Sequence, residues 1–170
     1  MGSYTSNWAH TRYEENGDGS PSKTSPTVQV FSSASSIYSM SELNSIQDWN
    51  NISSNVTISA PIYSDVGTAN VRISAQTLPP NVLGTTDVTR DNFTWTSITL
   101  TNTPSQSSDL RKRTITHEMG HALGLAHPHE KDYTCPYPGI MWQSSFISSG
   151  AATYEITNAD KYNIQYLYGE

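Results

Sequence analysis

The run His117-Glu118-Met119-Gly120-His121-Ala122-Leu123-Gly124-Leu125-Ala126-His127 holds residue types and spacings that can do chemistry together. It reads H-E-x-x-H-x-x-G-x-x-H. Two imidazoles four residues apart stand one above the other on a helix, because four residues turn it by slightly more than one revolution. Both can reach one metal ion from the same face. Glu118 sits next to the first of them and points aside, where it can serve a metal-bound water instead of ligating. A third ligand six residues past His121 requires the helix to stop. Gly124 can adopt the left-handed backbone that ends a helix, so the chain turns back and delivers His127. Three neutral imidazoles leave a fourth tetrahedral position for water, which is the arrangement of a catalytic zinc. A bare H-E-x-x-H also occurs on ordinary exposed helix faces. The added glycine and histidine at set distances are what make the pattern specific.

The elements that must position these residues can be read outward from the motif. A helix from about residue 109 to 123 carries the first two histidines, with Leu110, Ile115, Met119 and Ala122 as its buried side. Upstream, alternating β-formers predict strands at Thr27–Phe31, Val56–Ala60, Asn70–Ser74, Asn81–Thr86 (after the Pro79-Pro80 turn) and Phe93–Leu100. Ser39 with Glu42 forms a capping box, and Met40, Leu43, Ile46 and Trp49 follow at steps of three as one face of a helix ending near Asn50. Beyond Gly124 the chain loses periodicity over residues 128–150, which contain the turn Pro138-Gly139-Ile140-Met141-Trp142. Thr157 with Asp160 opens a last helix, its stripe being Ile164, Leu167 and Tyr168 and its end Gly169.

Residues 1–26 read as a loosely held arm, with Trp8 and Tyr13 as its large anchors. Asn16, Asp18 and Ser20 alternate like part of a calcium loop, but the other ligands of such a loop are missing, so a plain turn is expected and calcium finds no support.

Composition limits the function classes. A chain of 170 residues suggests one domain with a real core. Hydrophobic residues make up 35% and include 10 tyrosines, so part of the core is amphipathic rings whose hydroxyls need partners. A net charge of −6 argues against nucleic acid, which calls for a basic face. No apolar run is long enough to span a membrane. Met1-Gly2-Ser3 leads straight into polar sequence, consistent with a cytosolic protein or with a mature domain behind a start codon. The Ser/Thr-rich, Lys-poor composition favours the second, hence a secreted protein; a monomer is expected. The single cysteine, Cys135, excludes an internal disulfide.

On the motif at 117–127, Ile140-Met141 and the ending Ile164-Gln165-Tyr166-Leu167-Tyr168-Gly169, the chain resembles the metzincin zinc proteases and is most similar to the matrixins. The resemblance covers most of the chain past the arm. It implies an α+β fold with a twisted, mixed five-stranded sheet and three helices. It further implies a zinc cleft between an upper part, residues 27–127, and a lower part, residues 128–170. It makes Met141 the packed, non-ligating Met-turn residue beneath the zinc ligands. An extended substrate is expected along the strand edge near Leu83 and Gly84, held by main-chain hydrogen bonds. The resemblance puts the pocket for the side chain after the scissile bond beside the metal helix and the Met-turn segment, with Thr116, Ile140 and Trp142 as candidates for its wall and an apolar substrate residue expected there.

The chain also departs from the family. Pro128 follows the third histidine where many matrixins have serine or threonine, and Gln143 stands where a tyrosine is common. His10 and His129 are too few for a second, structural zinc site, and the last helix has Asp160 alone where two acids are typical. No inhibitory pro-segment is recognisable.

The expected activity is zinc-dependent peptide hydrolysis inside a protein or peptide chain, with Glu118 as general base. Two other readings compete: a zinc hydrolase of other specificity (exopeptidase or self-processing), and a non-catalytic zinc module, against which Glu118 argues because a structural site needs no base. His129 is an alternative third ligand, and Cys135 an alternative ligand or a free thiol. Tyr133, Tyr137 and Tyr154 are candidate donors near the metal that spacing does not separate.

Overall fold

The computed structural model describes residues 27–61, 69–88, 96–102, 107–125, 127, 139–141 and 155–168. The arm at 1–26, and with it His10, lies outside them, as do His129, Tyr133, Cys135, Tyr137, Trp142 and Tyr154.

Six strands can be followed: β1 (Thr27–Val28), β2 (Val30–Ser32), β3 (Thr57–Ile58), β4 (Val71–Gln76), β5 (Gly84–Val88) and β6 (Thr96–Thr101). The strand expected at 27–31 serves two ladders. Its first half, β1, pairs in parallel with β3, and its second half, β2, pairs in parallel with β4. The Gln29 carbonyl between them accepts from the amides of Asn70 and Val71. β4 continues in parallel to β6, and β5 closes the order β2-β4-β6-β5 antiparallel to β6. The result is a mixed α+β fold with a two-stranded and a four-stranded ladder joined through residues 27–32. Val30, Val71, Ile73, Ile98 and Leu100 alternate onto the buried face, as period-two patterning requires.

Two further expected elements differ from the structure. The strand expected at Asn81–Thr86 begins at Gly84, because Pro79–Val82 is a turn. The Val82 amide donates to the Pro79 carbonyl at 3.1 Å, and Asn81 takes φ 68°. Proline followed by a left-handed asparagine is the chemistry of a type II turn. The early helix is α-helical for one turn only, α1 (Met40–Leu43), and continues as a 3-10 helix over Asn44–Asn51. The strict three-residue step of its stripe accounts for this, since a 3-10 helix has three residues per turn. Leu43, Ile46 and Trp49 are fully buried, whereas Met40 is exposed and leaves the stripe. The Ser39–Glu42 capping box forms as expected.

The motif helix, α2 (Ser108–Ala122), is capped by the Ser107 hydroxyl, which accepts from the Leu110 amide at 3.2 Å. Every residue from Arg113 to Leu125 is buried, while Leu110 is only half-buried. From Arg113 onward α2 is therefore enclosed on all sides and not on one stripe. Arg111 near its start pairs with Glu42 at 2.8 Å, joining α1 to α2. Trp49 donates to the Thr116 carbonyl at 3.0 Å, and β5 packs along the helix beside Glu118. The last helix, α3 (Asn158–Tyr168), buries Ile164, Leu167 and Tyr168 and sends the Tyr168 hydroxyl to the Leu123 carbonyl at 2.8 Å. Among the described residues no helix is long and apolar enough to cross a membrane.

Candidate metal centre

α2 ends through Gly124, whose φ is 93°. The Gly124 amide donates to the His121 carbonyl at 2.9 Å and the Leu125 amide to the Gly120 carbonyl at 3.0 Å. This pair of bonds is a Schellman motif, which needs a left-handed residue where Gly124 stands. The turn does two things for the site. It brings His127 back beside the helix, and it carries the Leu125 carbonyl to 2.6 Å from Nδ1 of His121.

Nδ1 of His117 lies 2.7 Å from the Ile140 carbonyl. A carbonyl oxygen can only accept, so both Nδ1 atoms carry the proton and both Nε2 atoms present lone pairs. Those Nε2 atoms are 3.1 Å apart, and each is 3.0 Å from Nε2 of His127. Two neutral imidazoles with protonated Nδ1 cannot hydrogen-bond to each other through Nε2. The contact is lone pair against lone pair, and a cation between them relieves it. A zinc tetrahedron with nitrogen arms of about 2.0–2.1 Å has edges of about 3.3–3.4 Å, close to these spacings. His117, His121 and His127 thus fit a metal, and they form the metal-competent cluster among the described residues.

The electrostatics agree. Burial holds the His117 imidazole down to about 3, with His121 adding to the depression and the Ile140 carbonyl opposing it. His127 is lowered to about 4 by burial and by His121, and His121 is also lowered by burial. The site keeps its histidines neutral, as ligation requires.

Glu118 lies against β5. Its Oε2 accepts from the Thr86 hydroxyl at 2.6 Å. A Cβ placed on Gly84 would come within 2.7 Å of its Oε1. Burial pushes the carboxyl up to about 7, opposed by the Thr86 hydrogen bond.

Met141 is buried with its thioether packed on the helix: a Cβ at Gly120 would collide with the Met141 sulfur and approach Trp49 Cζ2 to 3.0 Å. Ile140 is wholly buried, and its contribution is its backbone, with the carbonyl toward His117 and the amide 3.2 Å from Asp160 Oδ2. Thr116 is not brought to the triad; its hydroxyl donates to the Ser45 carbonyl at 3.3 Å, on the side facing the 3-10 helix. Leu83 is half-buried, its carbonyl accepting from Thr101 at 2.9 Å at the start of the edge strand.

Sequence reasoning missed three contributors. Thr86 shares a strand face with Gly84, so the period-two rule could have found it. A glycine inside a helix costs about 1 kcal/mol against alanine, so Gly120 itself signalled a close neighbour. Asp160, read as a helix cap, also accepts from Ile140, and no local pattern shows that.

This centre, on this mixed sheet and helix, places the chain among metalloproteases of the metzincin type. The matrixin family profile matches residues 31–169, and the chain belongs to that family. Solved structures share the fold. The GM1-bound form of the ECX AB5 holotoxin gives a TM-score of 0.60 at 13% identity, over 96% of this chain and 90% of that one. Two structures of myroilysin give 0.59 at 15% identity, over 91% and 88%, and 0.57 at 16%, over 90% and 97%. A search of curated proteins finds no match.

Proposed function

We propose that the protein is a zinc endopeptidase in which Glu118 is the general base, and that it works as a secreted monomer on protein or peptide chains. The observation that carries this is the position of the Glu118 carboxylate: it is buried, hydrogen-bonded to Thr86, and one residue from the ligand His117. A structural metal site has no use for such a group. Zinc held by His117, His121 and His127 would supply a Lewis acid and a water whose pKa is lowered to about 7. Glu118 takes the proton from the attacking water and gives it to the departing amine, which is a poor leaving group until protonated. His117 and His121 stay fixed as lone-pair donors by the Ile140 and Leu125 carbonyls. β5 is the edge of the four-stranded ladder beside Glu118, which suits an extended substrate bound through main-chain hydrogen bonds. The Ser/Thr-rich, Lys-poor composition supports secretion.

The test is cleavage of an internally quenched peptide blocked at both ends, which separates an endopeptidase from an exopeptidase. The parent should cleave it, lose activity to phenanthroline and regain it with zinc. Glu118→Ala should hold zinc but lose activity by about 10²–10⁴-fold. Full activity in a sample shown to be metal-free would overturn the reading.

A further inference from the structure

We infer that Thr86 is a positioning residue for Glu118, its hydroxyl fixing one carboxylate oxygen so that the proton from water is received at the other. The inference rests on Glu118 being the base. The hydroxyl lies 2.6 Å from Oε2, the distance of a charge-assisted O–H···O⁻ bond. It is also 3.1 Å from the Glu118 carbonyl, a weaker alternative, since a carbonyl within a helix already has its own amide donor four residues on. One hydroxyl proton serves one strong acceptor, and the shorter contact is the carboxylate.

Gly84, on the same strand face two residues earlier, contributes by lacking a side chain. A Cβ there would stand 2.7 Å from Oε1, 2.8 Å from Cγ and 3.0 Å from Cδ of Glu118. The glutamate therefore lies across β5 at position 84 with Oε2 taken at position 86. The strand is itself held, with Gly84 and Thr86 paired to the buried Leu100 and Ile98 of β6. A base on a long, flexible side chain is thus set by a rigid element, as proton transfer demands. The balance is simple. The water O–H bond breaks, an Oε1–H bond forms and the water oxygen bonds to the peptide carbonyl carbon; later that proton passes to the amine nitrogen as the peptide C–N bond breaks, and Oε2 keeps its donor throughout.

The test compares Thr86→Val, which removes the hydroxyl at nearly equal volume, with Thr86→Ser, which keeps it, and Thr86→Ala as a second removal should valine pack badly. The expected result is a loss in kcat of about 10–100-fold in the valine and alanine variants, with KM and zinc content near the parent and most activity restored by serine. A second readout needs neither zinc nor turnover. In zinc-free protein labelled with ¹³C at glutamate Cδ, the Glu118 resonance, assigned by its loss in Glu118→Gln, should move in Thr86→Val and stay in Thr86→Ser. Parental kcat and an unmoved resonance in Thr86→Val would overturn the inference, as would a change confined to KM. A parent that cleaves no peptide refutes the peptidase reading instead, and the carbon resonance still decides whether Thr86 holds Glu118.

Discussion

His117 and Ile140 are bonded through the imidazole Nδ1 and a backbone carbonyl at 2.7 Å, and this ties the first histidine of the cluster to a turn 23 residues away. The same turn is held from its other side. Asp160 Oδ2 accepts from the Ile140 amide at 3.2 Å and from the Thr157 amide and hydroxyl at 2.8 and 2.7 Å. Gly139 makes room for this arrangement, since a Cβ there would run into Asp160 Oδ2 and Thr157 Oγ1. The last helix thereby reaches His117 through the backbone of one residue, Ile140.

Asp160→Ala is expected to weaken both stability and metal binding. It removes the acceptor of buried donors, each costing about 1–3 kcal/mol when left unpaired. Loosening the peptide that orients a ligand should cost a further 10–100-fold in zinc affinity, by the usual size of such outer contacts. Asp160→Asn, which keeps one acceptor oxygen, should lie between. Urea unfolding of zinc-free protein measures the first effect and chelator competition the second. Lowered stability with parental zinc affinity would show that the Asp160 contact does not reach His117.

The third ligand is expected to be His127, whose Nε2 is 3.0 Å from those of both His117 and His121. His127→Ala should reduce zinc affinity sharply, and His129→Ala should leave it at the parental value. A zinc titration showing the reverse order would reject the turn at Gly124 as the device that delivers the ligand.

The convergence of the three histidines was legible because helix periodicity and one glycine determine it locally. His117 and His121 follow from a four-residue spacing, and His127 from a single left-handed residue at Gly124. The same holds for the Ser39–Glu42 box and for both ends of α2. What was not legible depends on contacts far apart in sequence. The Thr116 hydroxyl donates to the Ser45 carbonyl because the 3-10 helix packs there, and the two residues are 71 apart in sequence. The split of residues 27–32 between β3 and β4 follows from which strands arrive on each side, which no run of side chains announces. The start of β5 was misplaced for a local reason: the Pro79–Val82 turn consumes residues whose composition alone suits a strand.

Gly120→Ala should destabilise the fold although alanine is the better helix former. Helix propensity alone would favour the change by about 1 kcal/mol. Against it stands the collision of the new methyl group with the Met141 sulfur and its approach to Trp49 Cζ2 at 3.0 Å. Overpacking of this kind typically costs about 1–3 kcal/mol. The expected net effect is a lower midpoint in thermal unfolding of zinc-free protein. A raised midpoint would mean that Met141 moves aside freely and is no fixed base under the ligands.

The response to acid separates the ligands from the base. In metal-free protein His117 and His127 are held down to about 3 and about 4, chiefly by burial, and His121 is lowered in the same way. Their unfolded value is near 6.5. As pH falls below that value the unfolded chain takes protons that the folded site refuses, so these groups remove stability progressively from about 6.5 down toward their folded values. Glu118 has the opposite sign. Its carboxyl is raised to about 7 by burial, so the folded protein takes a proton before the unfolded chain does. Its contribution to stability is therefore full below its ordinary value of 4.5 and lost as pH rises through about 7. In the zinc-loaded enzyme the cation favours the ionised carboxylate, so the acid limb of activity should lie below 7. Because burial holds His117 and His127 down to about 3 and about 4 and lowers His121 as well, zinc should stay bound over much of the range in which Glu118 is already protonated and inactive. The expected order on acidification is loss of activity first, then loss of zinc, then unfolding of the metal-free chain. Activity, bound zinc and circular dichroism followed on one sample from pH 8 to pH 3 would check it (roughly the span between the highest and lowest of these values). Zinc leaving in step with activity would show that ligand protonation sets the acid limb and not the base.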